Sequence, residues 1–121
     1  MVSAERQRAS LDRAIADDDD VAIAAVTAAE LLVGVELADA ERRDQRAAFV
    51  RDVLETMSVE EYTLATAQVH ARLMASVRAS GTPRGAHDLI IAATAAATER
   101  TVVTTDARGF QDLPGVDIRV A

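Results

Sequence analysis

HDLIIAATAAATERTVVTTDARGF, residues 87–110, carries the reading of the fold. It begins as an alanine-rich helix of the buried kind, opened by an acid at Asp88. After a short turn, the β-branched run at 101–105 predicts a strand that delivers a second acid, Asp106, to its carboxyl end. Two carboxylates at one rim of a parallel sheet point to a hard divalent cation. A third acid, Glu30, follows an earlier apolar run in the same way. Three carboxylates with no thiol nearby suit magnesium or manganese acting on phosphates.

Outward from that block, helices and strands alternate. Residues 4–16 predict a short helix, and the aspartates at 17–20 a solvated loop. VAIAAV at 21–26 reads as a strand buried on both faces. Thr27 and Glu30 then have the spacing of a capping box opening a helix to about residue 38. An amphipathic helix is expected at 41–55, followed by a short extended segment at 56–57. A second capping box, Ser58 to Glu61, would open the longest helix, running to about residue 79 with Tyr62, Val69, Leu73 and Val77 on one side. Ser80-Gly81-Thr82-Pro83 stops it, and the helix at 87–99 follows. A single turn at 107–110 and a last strand near 116–120 close the chain. This order predicts a parallel α/β sheet within one domain spanning 1–121.

Composition narrows the function. A chain of 121 residues buries a core without staples, and with no cysteine it has neither disulfides nor thiolate metal sites. No apolar run reaches the length of a membrane span, so a cytoplasmic protein is expected. A net charge of −7 argues against a sequence-independent nucleic-acid binder. It does not exclude a phosphate substrate, because bound cations reverse the field locally. Arg42, Arg43, Arg46 and Arg51 cluster in one segment, and Arg72, Arg78 and Arg84 add further positive charge.

Each acid also has a plain structural role. Glu30 would serve a capping box, Asp88 suits the positive end of its helix, and Asp106 can cap the turn that ends at Phe110. Those roles leave their coincidence unexplained: all three fall where open α/β sheets place ligands. Arg84, four residues before Asp88, is either a phosphate-binding group at that rim or a solvated loop arginine, and Thr105 is a second substrate-binding candidate. His87 reads as a polar cap and His70 as a mid-helix surface or packing residue. Gly81, Gly85 and Gly109 form no phosphate-cradling pattern.

HDLIIAATA at 87–95, VVTTDARGF at 102–110 and AAVTAAELLVGVELA at 24–38 resemble the PIN-domain ribonucleases, in particular VapC-type toxins of toxin–antitoxin pairs. The resemblance implies a three-layer domain, a sheet of about five parallel strands flanked by helices. It implies an endoribonuclease in which Glu30, Asp88 and Asp106 hold Mg2+, or Mn2+, and cut RNA to leave a 5′-phosphate. It also implies a cognate VapB-type antitoxin as inhibitor and a homodimer as the usual assembly.

One departure bears on activity. The family opens with a hydrophobic strand ending in Asp-Thr-Ser or a close variant, whereas this sequence opens at Met1-Val2-Ser3-Ala4-Glu5, like the helix after that motif. The first strand and its acid are therefore expected to be missing, and the sequence to begin inside a longer reading frame. Upstream coding sequence should then translate in frame to an apolar run ending in that motif, and a stop codon directly upstream would refute it. Two further functions compete with a complete nuclease. One is an inactive remnant that still captures antitoxin. The other is a phosphatase or receiver domain, disfavoured because the chain has no lysine and no nucleophilic aspartate after a first strand.

Overall fold

Parallel strands cannot be joined by a tight turn and need a crossover of a dozen residues or more. Two such crossovers organise this protein. The computed structural model describes residues 15–16 and 19–121, so the helix expected at 4–16 and Asp17 and Asp18 lie almost wholly outside the described residues. The chain forms two compact units, one built on 21–62 and the other on 63–121 with the segment up to Asp20.

In the first unit, β1 (Ala22–Ala24) pairs in parallel with β2 (Ser58–Glu60), with Ala22 opposite Ser58 and Ala24 opposite Glu60. The crossover is α1 (Ala25–Leu37) and α2 (Ala40–Thr56). Both ends of this unit depart from the sequence expectation. The strand is shorter than 21–26 because Ala25 and Val26 already belong to the helix, which opens after Ala24 with no side-chain cap. Consecutive alanines favour the helix, and three residues suffice to match β2. Thr27 therefore lies inside α1 and forms no capping box with Glu30, which sits a turn further on.

Ser58 to Glu61 is likewise no helix opening. Ser58, Val59 and Glu60 are spent on pairing with β1, so the next helix starts later. Its cap is Thr63, whose Oγ1 accepts the N–H of Thr66 at 3.2 Å, and Tyr62 stays outside the helix and exposed. Between the two strands, Asp39 caps α2 by accepting the Arg42 N–H at 2.9 Å. Arg43 reaches back to the Glu36 carbonyl at 3.2 Å, satisfying an acceptor left open at the end of α1. Val50 and Val53 of α2 are buried, whereas α1 buries none of its residues and Leu37 is 81% exposed.

The second unit holds α3 (Leu64–Ser80), α4 (Ala86–Ala97), β3 (Val102–Thr104) and β4 (Ile118–Val120). Gly81 ends α3 in the left-handed conformation at φ +70°, its N–H returning to the Val77 carbonyl, a geometry glycine adopts without steric cost. Helix α4 stops at Ala97, two residues before the expected end, and Glu99 takes a positive φ of 57°. β3 and β4 run parallel with Val102 opposite Ile118. The core gathers Leu73, Leu89, Ala92, Ala93, Val102, Phe110 and Leu113. Ala92 and Ala93 are fully buried at 0% exposure, so α4 owes its close packing to having no bulk on that face.

The aspartate run is not all solvated charge. Asp19 accepts from Arg119 at 3.0 Å and Asp20 from Arg100 at 3.2 Å, while the Asp20 carbonyl takes a second Arg100 bond at 2.6 Å. Arg119 lies on β4 and Arg100 just before β3, so both arginines hold this segment to the second unit's sheet. All described strand pairs are parallel, as the sequence implied, but the four described strands form two pairs of two where one sheet of about five was expected. Each described strand is only three residues long, so each ladder is short.

Candidate functional site

The second unit brings together the start of α4 and the turn that leaves β3. Gly85 is the N-cap of α4 and Asp88 stands in its first turn, where the helix dipole favours a carboxylate. The Asp88 side chain is partly buried and lies against two glycines. A Cβ placed on Gly85 would be 3.3 Å from Asp88 Oδ2. One placed on Gly109 would overlap that oxygen outright and stand 3.0 Å from Cγ. Gly109 ends the 3₁₀ turn Ala107–Gly109. The carboxylate of Asp88 is thus wedged between the N-terminus of one helix and the backbone of a turn distant in sequence.

Asp106 opens that turn. Its Oδ1 accepts the Arg108 N–H at 3.0 Å, the capping role anticipated for it. Arg108 also grips the carboxylate from the side, Nε on Oδ1 at 2.9 Å and Nη2 on Oδ2 at 2.8 Å. The side-chain bonds from Arg108, then the backbone bond, hold the Asp106 carboxyl down at about 2, from an ordinary 3.8. Thr104 shapes the approach. Its Oγ1 donates to the Asp106 carbonyl at 3.0 Å and accepts the Asp106 N–H at 3.1 Å. The neighbouring candidate Thr105 is exposed on the same rim.

Arg84 turns inward along the backbone. Its Nη2 donates to the Gln111 carbonyl at 2.9 Å and Nη1 to the Pro83 carbonyl at 3.2 Å, while its Nε is buried without a hydrogen-bond partner. The arginine staples the loop before α4 to the residues after the turn. His87 is exposed in the first turn of α4, and His70 is partly buried in α3.

Glu30 belongs to the other unit, exposed in the second turn of α1. With its capping box absent, the helix-opening role that the sequence offered for it does not apply. Among the described residues, no three His, Cys, Asp or Glu side chains form a group able to hold a metal ion. The donor chemistry nevertheless fits a hard divalent cation: carboxylates at the carboxyl end of β3 and at a helix N-terminus, hydroxyls beside them, and no thiol in the chain. Arg108 and Thr104 were not singled out by sequence reasoning, and Gly109 was weighed only as part of a phosphate cradle and set aside. Asp106 and Arg108 two residues apart around a tight turn were the available signal for the ion pair.

This pairing of elements has counterparts elsewhere. The PIN domain family matches residues 1–116 and so runs through both units. A Salmonella typhimurium protein named tRNA(fMet)-specific endonuclease VapC is 31% identical over 96 residues, spanning 79% of this chain and 71% of its own. The chain belongs to the PIN-domain family. Within that family its relatives are VapC proteins. Ribonuclease VapC of Rickettsia bellii is 25% identical over 119 residues, 98% of this chain and 88% of its own. The crystal structure of VapBC-5, from the VapBC family of toxin–antitoxin systems of Mycobacterium tuberculosis, superposes with a TM-score of 0.75 at 32% identity. It covers 89% of this chain and 92% of the other. This PIN domain is therefore of the VapC type and of the α/β class. Among its described residues no helix is long and apolar enough to cross a membrane.

Proposed function

We propose that this PIN domain is a divalent-cation-dependent endoribonuclease, the toxin of a toxin–antitoxin pair. The observation that carries the reading is the seating of Asp88 against Gly109, which sets a helix-opening carboxylate beside the turn capped by Asp106. The names of the two relatives, a ribonuclease and a tRNA endonuclease, support the reaction class.

In this reading Asp88 and Asp106 would hold Mg2+, with Mn2+ able to replace it, and Glu30 is the third candidate acid. The cation supplies a water of lowered pKa and neutralises charge on a phosphodiester. The chain's own groups do the rest. Asp88 and Asp106 sit on supports fixed by the core and the turn, Thr105 offers a hydroxyl to a phosphate oxygen from the exposed rim, and Arg84 adds positive charge from its staple position. Arg108, released from Asp106, becomes available to the substrate phosphate. A cognate VapB-type antitoxin is the expected inhibitor, as the toxin–antitoxin neighbour supports, with a homodimer as the assembly and the cytoplasm as the compartment.

A second reading is an antitoxin-capturing domain that does not cut. It is favoured by the two-pronged occupation of Asp106 by Arg108. Titrating Mg2+ into the purified chain with a fluorescent RNA separates them. The nuclease cuts only with metal and loses activity in Asp88→Ala. A chain that leaves RNA intact at every Mg2+ concentration, yet binds antitoxin, belongs to the second reading.

A further inference from the structure

We infer that Gly109 is a positioning residue for Asp88, setting where that carboxylate meets a cation through contact of its bare Cα. The inference rests on Asp88 being a cation ligand, as proposed above, and adds a residue that touches neither cation nor RNA.

The contact is specific. All three of the nearest atoms that a Cβ on Gly109 would meet belong to Asp88: Oδ2, Cγ at 3.0 Å and Cβ at 3.5 Å. Backbone conformation does not demand glycine here, since Gly109 lies outside the left-handed region. Gly81 and Gly115 show the opposite case, with positive φ and nothing within 4 Å of an added Cβ. What a side chain at Gly109 would meet first is therefore the acid.

The turn cannot retreat to make room. Phe110, the next residue, is buried in the core, and Gln111 is held by Arg84 at 2.9 Å. The turn itself is closed by the Phe110 and Gln111 N–H groups on the Ala107 carbonyl, each at 3.0 Å. Asp88, by contrast, sits in a first helical turn and is only partly buried. An added methyl therefore moves the carboxylate rather than the turn. Displacing a group that orients a ligand lowers metal affinity by about 10–100-fold.

The test uses the full chain with Mn2+ as probe, read by electron paramagnetic resonance, alongside thermal melts. Gly109→Ala should weaken Mn2+ binding by at least about tenfold, and Asp88→Asn should abolish the same site. The melt supplies an independent readout. Gly109→Ala should lower Tm in the wild-type background and by much less in Asp88→Ala, because the oxygen that the methyl meets is then gone. If Gly109→Ala does not fold alone, recovery of folding in the double variant supports the contact, and failure of both overturns it. Unchanged Mn2+ affinity in Gly109→Ala with loss in Asp88→Asn overturns the positioning role alone. Mn2+ binding indifferent to Asp88→Asn overturns the ligand reading beneath it.

Discussion

Arg108 and Asp106 form a two-pronged ion pair across a single 3₁₀ turn, with Nε on Oδ1 at 2.9 Å and Nη2 on Oδ2 at 2.8 Å. Both groups face solvent, with side chains 87% and 54% exposed, so the pair is open to salt and to competitors. Its two acceptor oxygens are the same atoms that a cation would need. The pair is therefore a local rival to any metal at Asp106.

The pairing has a signature in acid. The Asp106 carboxyl titrates at about 2 in the folded chain, below its ordinary 3.8. A depressed folded value means that the stabilisation is fully present above the unfolded value and fades as pH falls toward 2. Melts of wild type and Asp106→Asn should differ by a constant Tm above about pH 5 and converge between pH 4 and pH 2. High salt should narrow the gap at neutral pH.

Competition predicts a gain on losing the arginine. Arg108→Gln removes the rival charge while keeping a polar side chain, and should tighten Mn2+ binding measured by electron paramagnetic resonance. The same variant should move the Asp106 carboxyl back toward 3.8, which a carbon-13 titration reads directly. Weaker Mn2+ binding in Arg108→Gln would show that the arginine supports the cation site instead of opposing it.

The start of α3 is testable at two residues. Thr63→Ala removes the cap bond to the Thr66 N–H and should cost about 1 kcal/mol in urea denaturation. Ser58→Ala, at an exposed strand position, should stay within about 0.5 kcal/mol of wild type. Equal losses at both would restore a helix opening at Ser58.

Packing in the second unit should be intolerant in both directions. Leu73, 1% exposed, should lose about 2–5 kcal/mol on substitution by alanine. Ala92→Leu inserts bulk where α4 has none to spare and should cost about 1–3 kcal/mol. Chemical denaturation measures both.

The legible part of the sequence was the local part. Asp88 in a first helical turn, the β-branched strand ending before Asp106 and the capping of the turn by that acid all follow from near neighbours along the chain. The two supposed capping boxes misled because Ser/Thr-x-x-Glu is a local pattern, whereas Ala22–Ala24 and Ser58–Glu60 are fixed by each other across more than thirty residues. Gly109 gave no signal for a related reason. Its role depends on Asp88, twenty-one positions earlier, and no periodicity records that approach. Asp19 and Asp20 looked solvated because their partners, Arg119 and Arg100, are equally remote.

The proposed nuclease depends on Asp88 and Asp106 holding one cation, and carbon-13 carboxyl spectra under Mn2+ titration read this without reference to activity. The first additions of Mn2+ should broaden the Asp88 and Asp106 carboxyl signals together, ahead of the other acids of their unit. Broadening that begins at the aspartates of 17–20, or that reaches either of the two only with the bulk of the acids, would contradict it.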